Sequence, residues 1–140
     1  MQSASFDKTT FVSHAGLGFG AFHHFIYEPF RSGEFTSGSR SQVRYLAEAG
    51  MAAAFTAHEL RLAKRAAEAN PTLCRAVAAP LNDAAASLQR LDNRLSSGQA
   101  SGSDINQVNT TIDQAQHGSA QAGIPVADHI PSTQQLAHPS

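Results

Sequence analysis

"CRAVAAPLNDAAASLQRLDNRL", residues Cys74 to Leu95, decides the fold class. Cys74, Val77, Leu81, Ala84, Leu88, Leu91 and Leu95 recur at alternating spacings of three and four, which lays one apolar seam along a helix. Asn70 followed by Pro71 reads as an N-cap and a first-turn proline, so the helix is expected over about 71–96. Pro80 lies inside it and lacks a backbone donor, which predicts a kink or a restart near Ala79.

Upstream, residues 41–69 read as a long Ala-rich helix with two apolar stripes. One runs Met51, Phe55, His58, Leu62 and the other Leu46, Ala49, Ala53, Leu60, Ala63, Ala67. A helix apolar on two sides is packed against more than one neighbour. Further upstream, a helix over about 7–31 gathers Phe11, Val12, Ala15, Gly18, Phe19, Phe22, Phe25 and Ile26 on one broad face. Roughly opposite lie Gly16, Gly20 and Tyr27, a smooth face where another backbone can come close. Pro29 weakens the end of this helix, and Arg31 to Ser39 form a turn-rich connection.

Downstream, Ser96 to Ser103 read as a flexible connector. A fourth helix, over about 104–117, opens at Ser103 or Asp104 and carries a thin stripe of Ile105, Val108, Ile112 and Ala115. Beyond Gly118 the period stops, and Gly123 to Ser140 hold three prolines. The fold class is therefore all-α: an antiparallel up-down four-helix bundle over residues 1–118, with a poorly ordered, Pro-containing C-terminal tail. That tail, residues 119–140, is expected to be extended or disordered, draped at most through Ile124, Val126 and Ile130, and removal of Gly123 to Ser140 to leave the melting temperature nearly unchanged.

The 140 residues suffice for one core without staples, and carry ten Lys and Arg against eleven Asp and Glu. A net charge of −1 with scattered basic residues argues against nucleic-acid binding, which needs clustered cations. Cys74 is the single cysteine, so an intramolecular disulfide and a cysteine-based zinc site are both excluded. No charged and apolar leader pattern precedes Phe6, while "MQSAS" is also what remains when a leader is removed, so cytoplasmic and exported chains both stay open.

Seven histidines make metal the first chemistry to test. His23 and His24 are adjacent and diverge by about 100° on a helix. His14 lies nine residues before His23, about 13 Å away along the axis, so the three share no ion. His24 and Glu28, at i and i+4, pass the spacing test and are the candidate metal half-site. "HELRL" at His58 fails the zinc-protease pattern, because Leu62 stands where a second histidine is required. His58 sits on an apolar stripe, which reads either as a core histidine or, paired with His14 across two helices, as one of two axial ligands to a non-covalent haem.

"GLGFG" at Gly16 to Gly20 lacks the Lys-Ser/Thr ending and preceding strand of a phosphate loop, and no nucleophile elbow occurs. The carboxylates look spread along polar faces, so no enzyme is expected. Thr9 to Tyr27 carry no Lys, Arg, Asp or Glu, which leaves membrane contact through residues 11–30 as one reading. The leading expectation is a non-enzymatic structural or interaction module without a cofactor, its surface at Gly16, Gly20 and Tyr27, met by a protein partner or a second copy. A haem- or transition-metal-binding bundle and a membrane-associated accessory protein are the alternatives. In the leading reading His14→Ala is expected to be mild.

Overall fold

Asp7 starts the helical chain: its carboxylate accepts from the backbone N–H of Thr10 at 3.1 Å and from the Thr10 hydroxyl at 2.7 Å. In the computed structural model, which describes residues 6–33 and 42–137, α1 (Lys8–Phe22) follows at once. It runs into a π-helical turn (His23–Tyr27) and then α2 (Glu28–Arg31). The wide turn has a local cause. Pro29 has no N–H to donate, and its ring would press on the carbonyl four residues earlier; closing Glu28 N–H onto His23 O, five residues back, lets the helix continue. The helix expected over 7–31 is thus present, with an interruption that spacing alone did not reveal.

Residues 34–41 of the first connector, with the expected second-helix start at Ser41, lie outside the described residues. Then come α3 (Gln42–Ala67), α4 (Pro71–Ser97), α5 (Gly102–Gln121) and the short α6 (Thr133–Ala137). Asn70 caps α4 by accepting from Leu73 N–H at 3.1 Å. Gly98, at φ 74°, ends it in the left-handed conformation that favours glycine. α5 begins earlier than expected because Ser101, not Ser103 or Asp104, is its N-cap. Ser101 and Asp104 exchange the two hydrogen bonds of a capping box, at 3.0 and 3.3 Å.

The four long segments form the up-down bundle. α3 packs against both α1 and α4, α4 against α5, and α5 meets the π-helical turn to close the set. Val77, Leu81, Ala84, Leu88 and Leu91 of the α4 seam are all buried. On α3, Ala49, Ala53, Leu60, Ala63 and Ala67 are buried as expected, whereas Met51 of the other stripe is 40% exposed.

α4 continues through Pro80 without the restart expected near Ala79. The carbonyl of Ala76 would accept from residue 80 in a regular helix, and proline has no N–H to offer. Gly118 of α5 covers that carbonyl so closely that a Cβ would lie 2.7 Å from it. Gly118 is therefore a contact point, and α5 runs past it to residue 121 instead of ending at 117.

The alternate glycines of α1 serve two neighbours. Gly18 faces α3: its carbonyl accepts from the Thr56 hydroxyl at 3.3 Å, and a Cβ would lie 2.8 Å from Leu60. Gly16 and Gly20 face the other way, as their spacing predicts, and the backbone that approaches them is this chain's own. A Cβ on Gly16 would stand 2.9 Å from the Ala127 carbonyl oxygen, and one on Gly20 would overlap the backbone of His129. His129 N–H donates to Gly16 O at 2.9 Å.

Residues 124–137 thus form a strap. It leaves α5 at Gly123 (φ 86°), crosses α1 in extended form and ends in α6 against α3. Ile124, Val126, Pro131 and Leu136 are buried, while Ile130 is exposed. The Ser119 hydroxyl donates to Ile124 O, and Ser132 and Gln135 exchange capping hydrogen bonds at 2.9 and 3.1 Å. Of the tail expected over 119–140 to be extended or disordered, residues 119–121 continue α5, 124–132 are extended and packed, 133–137 are helical, and 138–140 lie outside the described residues. The strap's contact with α1 is made by backbone lying on glycine, and its buried side chains follow no regular period.

Three outcomes follow for stability. Gly118→Ala is expected to destabilise by roughly 1–3 kcal/mol through overpacking. Gly50→Ala, whose new methyl would meet only Asp92 at an ordinary 3.7 Å, is expected to stabilise by up to about 1 kcal/mol; urea denaturation reads both. Ending the chain at Ala122 exposes what Ile124, Val126 and Leu136 cover and is expected to lower the melting temperature by on the order of 10 °C or more, where a free tail would change nothing.

Candidate functional site

Ala52, Thr56, Glu59 and Ala63 follow one another on α3 at spacings of four, three and four, and all are buried. Glu59 therefore points into the bundle, with only 1% of it exposed. A lone ionised carboxylate there would be costly. Its partner is His14 of α1, whose Nδ1–H donates to Oε1 at 2.7 Å from the rim of the bundle. The carboxylates' spread along polar faces hides this pair in the sequence; its one signal there is that Glu59 continues an inward stripe.

This pair displaces the expected one. His14 meets Glu59, and His58 sits half-buried one position earlier, about 100° around α3. An axial pair of His14 and His58 would require His14 to give up Glu59 and leave that carboxylate buried alone. His24 and Glu28 do lie on one side of their helix, 3.7 Å apart, and both are exposed. Among the described residues no group of three or more His, Cys, Asp or Glu gathers as a metal site.

A second histidine–carboxylate pair joins the π-helical turn to the strap. His23 Nδ1–H donates to Asp128 Oδ2 at 2.6 Å, and Gln116 of α5 donates to Asp128 Oδ1 at 2.9 Å. Burial alone would push the His23 pKa down. The Asp128 hydrogen bond and charge, helped by Asp113 and Asn109 of α5, more than offset this and leave it raised. Asp128 is held below the usual carboxylate value, first by the hydrogen bond from His23, against the opposing effect of burial, and further by that ring's charge and by Gln116. The sequence brings His23 forward only as a possible metal ligand and does not point to Asp128, because the two lie 105 positions apart and Asp128 belongs to a stretch without period.

Of the expected interaction surface, Gly16 and Gly20 are buried beneath the strap and so are not open to an outside partner in this state. Tyr27 is half-buried, stacked on Phe22 with ring centroids 6.0 Å apart, and carries the Arg31 guanidinium 5.7 Å over its face. The aromatic residues Phe11, Phe19, Phe22 and Phe25 are inside the bundle, and among the described residues no helix is long and apolar enough to cross a membrane.

The surface does hold an open cleft of about 500 Å³ where the strap, the end of the first helix and α3 meet. Phe25, Pro29, Tyr45, Ile130 and Pro131 supply its apolar lining, and His24, Glu28 and Glu48 its polar one. Ile130, 55% exposed, is the most solvent-facing large apolar side chain among the described residues.

No protein-family model matches the sequence, and comparison with curated proteins and with solved structures finds no match.

His14→Ala strands the Glu59 carboxylate and is expected to cost roughly 2–3 kcal/mol by urea denaturation, reversing the mild effect expected from sequence. Adding Glu59→Leu to the same variant removes the stranded group and is expected to recover most of the loss. A His14→Ala variant as stable as the parent would show that the pair carries no weight.

Proposed function

We propose that the chain is a non-enzymatic helical bundle that acts as a protein-interaction module, with self-association one form of that role. The observation that carries this reading is Ile130. Its neighbours Val126, Pro131 and Leu136 all turn inward, yet the extended backbone between them holds this aliphatic side chain in solvent at the mouth of the cleft. An apolar side chain beside an apolar-walled recess with a polar rim is the usual composition of an interface centre.

The histidine–carboxylate pairs support the same reading, because each is spent on holding one chain segment to another: α1 to α3 through His14 and Glu59, the first helix to the strap through His23 and Asp128. A haem between His14 and His58 would break the first pair. Docking on lipid through residues 11–30 would turn Phe11, Phe19, Phe22 and Phe25 out of the core. Both would surrender contacts that the interaction reading keeps.

The test is photo-cross-linking in the source cells from an unnatural side chain at position 130, with position 114 on the exposed face of α5 as control. A discrete adduct from position 130 and none from 114 is expected; twice the chain mass identifies a second copy, another mass a different protein. Met51→Lys, at the other exposed apolar side chain, is expected to leave the adduct intact. Equal labelling from both positions would contradict the proposal.

A further inference from the structure

The strap is attached to α1 in a way that one side chain can loosen. It turns away from α5 at Gly123, whose φ of 86° suits glycine and whose added Cβ would meet nothing within 4 Å. Its backbone lies on the groove of Gly16 and Gly20, with one backbone hydrogen bond, His129 N–H to Gly16 O. The ionisable link across this contact is His23 with Asp128, placed where the π-helical turn brings the ring to the strap's edge.

The groups facing His23 are carboxylates and neutral side chains. Asp128 approaches from the strap, Asp113 and Asn109 from α5, and the rings of Phe22 and Tyr27 stand edge-on at 5.6 and 6.4 Å. Gln116 of α5 holds the far oxygen of Asp128 and donates to Val126 O at 3.4 Å, so the acid is oriented toward the imidazole whatever the charge of the ring. We propose that residues 124–137 are a latch on α1, held tightest while His23 is protonated and loosened over the glycine groove as that proton is lost.

The sign follows from linkage. His23 titrates above its ordinary 6.5 when the strap is docked, so its contribution to docking is complete below that value and fades as the pH rises through the raised one. Asp128 titrates below 3.8, so its contribution is lost as the pH falls through the lowered value. Docking is therefore tightest between about pH 4 and 6.5 and loosens on the alkaline side through His23 alone. Neutral His23 still donates a hydrogen bond to the ionised Asp128, but the attraction between imidazolium and carboxylate is lost. The latch does not depend on the interaction reading, although Ile130 rides on the strap and is presented at the cleft only while the latch is closed.

Amide hydrogen exchange on the full chain tests this, expressed as protection so that the intrinsic pH dependence of exchange is removed. Between pH 6 and pH 8.5 the His129 amide is expected to lose protection several-fold while that of Leu88, in the buried seam of α4, is unchanged. His23→Gln keeps a neutral donor and removes the titration, so its His129 protection is expected to be flat over the same range; Asp128→Asn is expected to behave likewise. Flat protection in the parent chain, or a pH dependence that survives in both variants, would overturn the proposal.

Discussion

A helix can be approached at backbone distance only where it has no side chains, and α1 meets that condition on two sides. Gly18 admits α3, and Gly16 with Gly20 admits the strap. Three glycines within five residues cost a helix about 1 kcal/mol each relative to alanine. What offsets this is that the first helix is gripped between two segments, with Phe11, Phe19, Phe22 and Ile26 buried among its neighbours. The bundle proper would leave one flank of α1 uncovered; the strap covers it and so turns four helices with an apolar excess into a closed core.

The polar groups follow from that arrangement. Close contact between α1 and α3 removes Glu59 from solvent, and His14, one turn before Gly18, is the group that can reach it. Close contact between α1 and the strap places Asp128 against the π-helical turn, where His23 answers it. Two of the three histidines near the start of the chain are thus hydrogen-bonded fasteners for the two neighbours of one helix. The third, His24, faces outward beside Glu28 at the cleft.

How much of this was legible depended on what kind of contact each segment makes. α4 and α5 pack through side chains at helical spacing, so Val77 to Leu91 and Ile105 to Ala115 announced themselves. The smooth face of Gly16 and Gly20 was also readable, because absence of side chains has a period as well. Its occupant was not, since an extended strap contacts the groove with its backbone and scatters its buried residues, Ile124, Val126, Pro131 and Leu136, without rhythm. Glu59 was hidden differently: a charged residue on an inward stripe reads as an exception until the partner on another helix is known, and sequence does not fix the register that brings His14 to it. The π-helical turn had its cause in view at Pro29, but a proline can equally break a helix, and only the packing of Phe25 and Ile26 decides that it continues.

The C-terminal strap is part of the core by way of the glycine groove. The most direct measurement is the set of nuclear Overhauser contacts between the Hα protons of Gly16 and Gly20 and the backbone protons of Ala127 and His129, recorded together with backbone order parameters over residues 124–137. Strong contacts with order parameters equal to those of α4 are the predicted result. Their absence, with order parameters falling steadily beyond Gly123, would contradict the account.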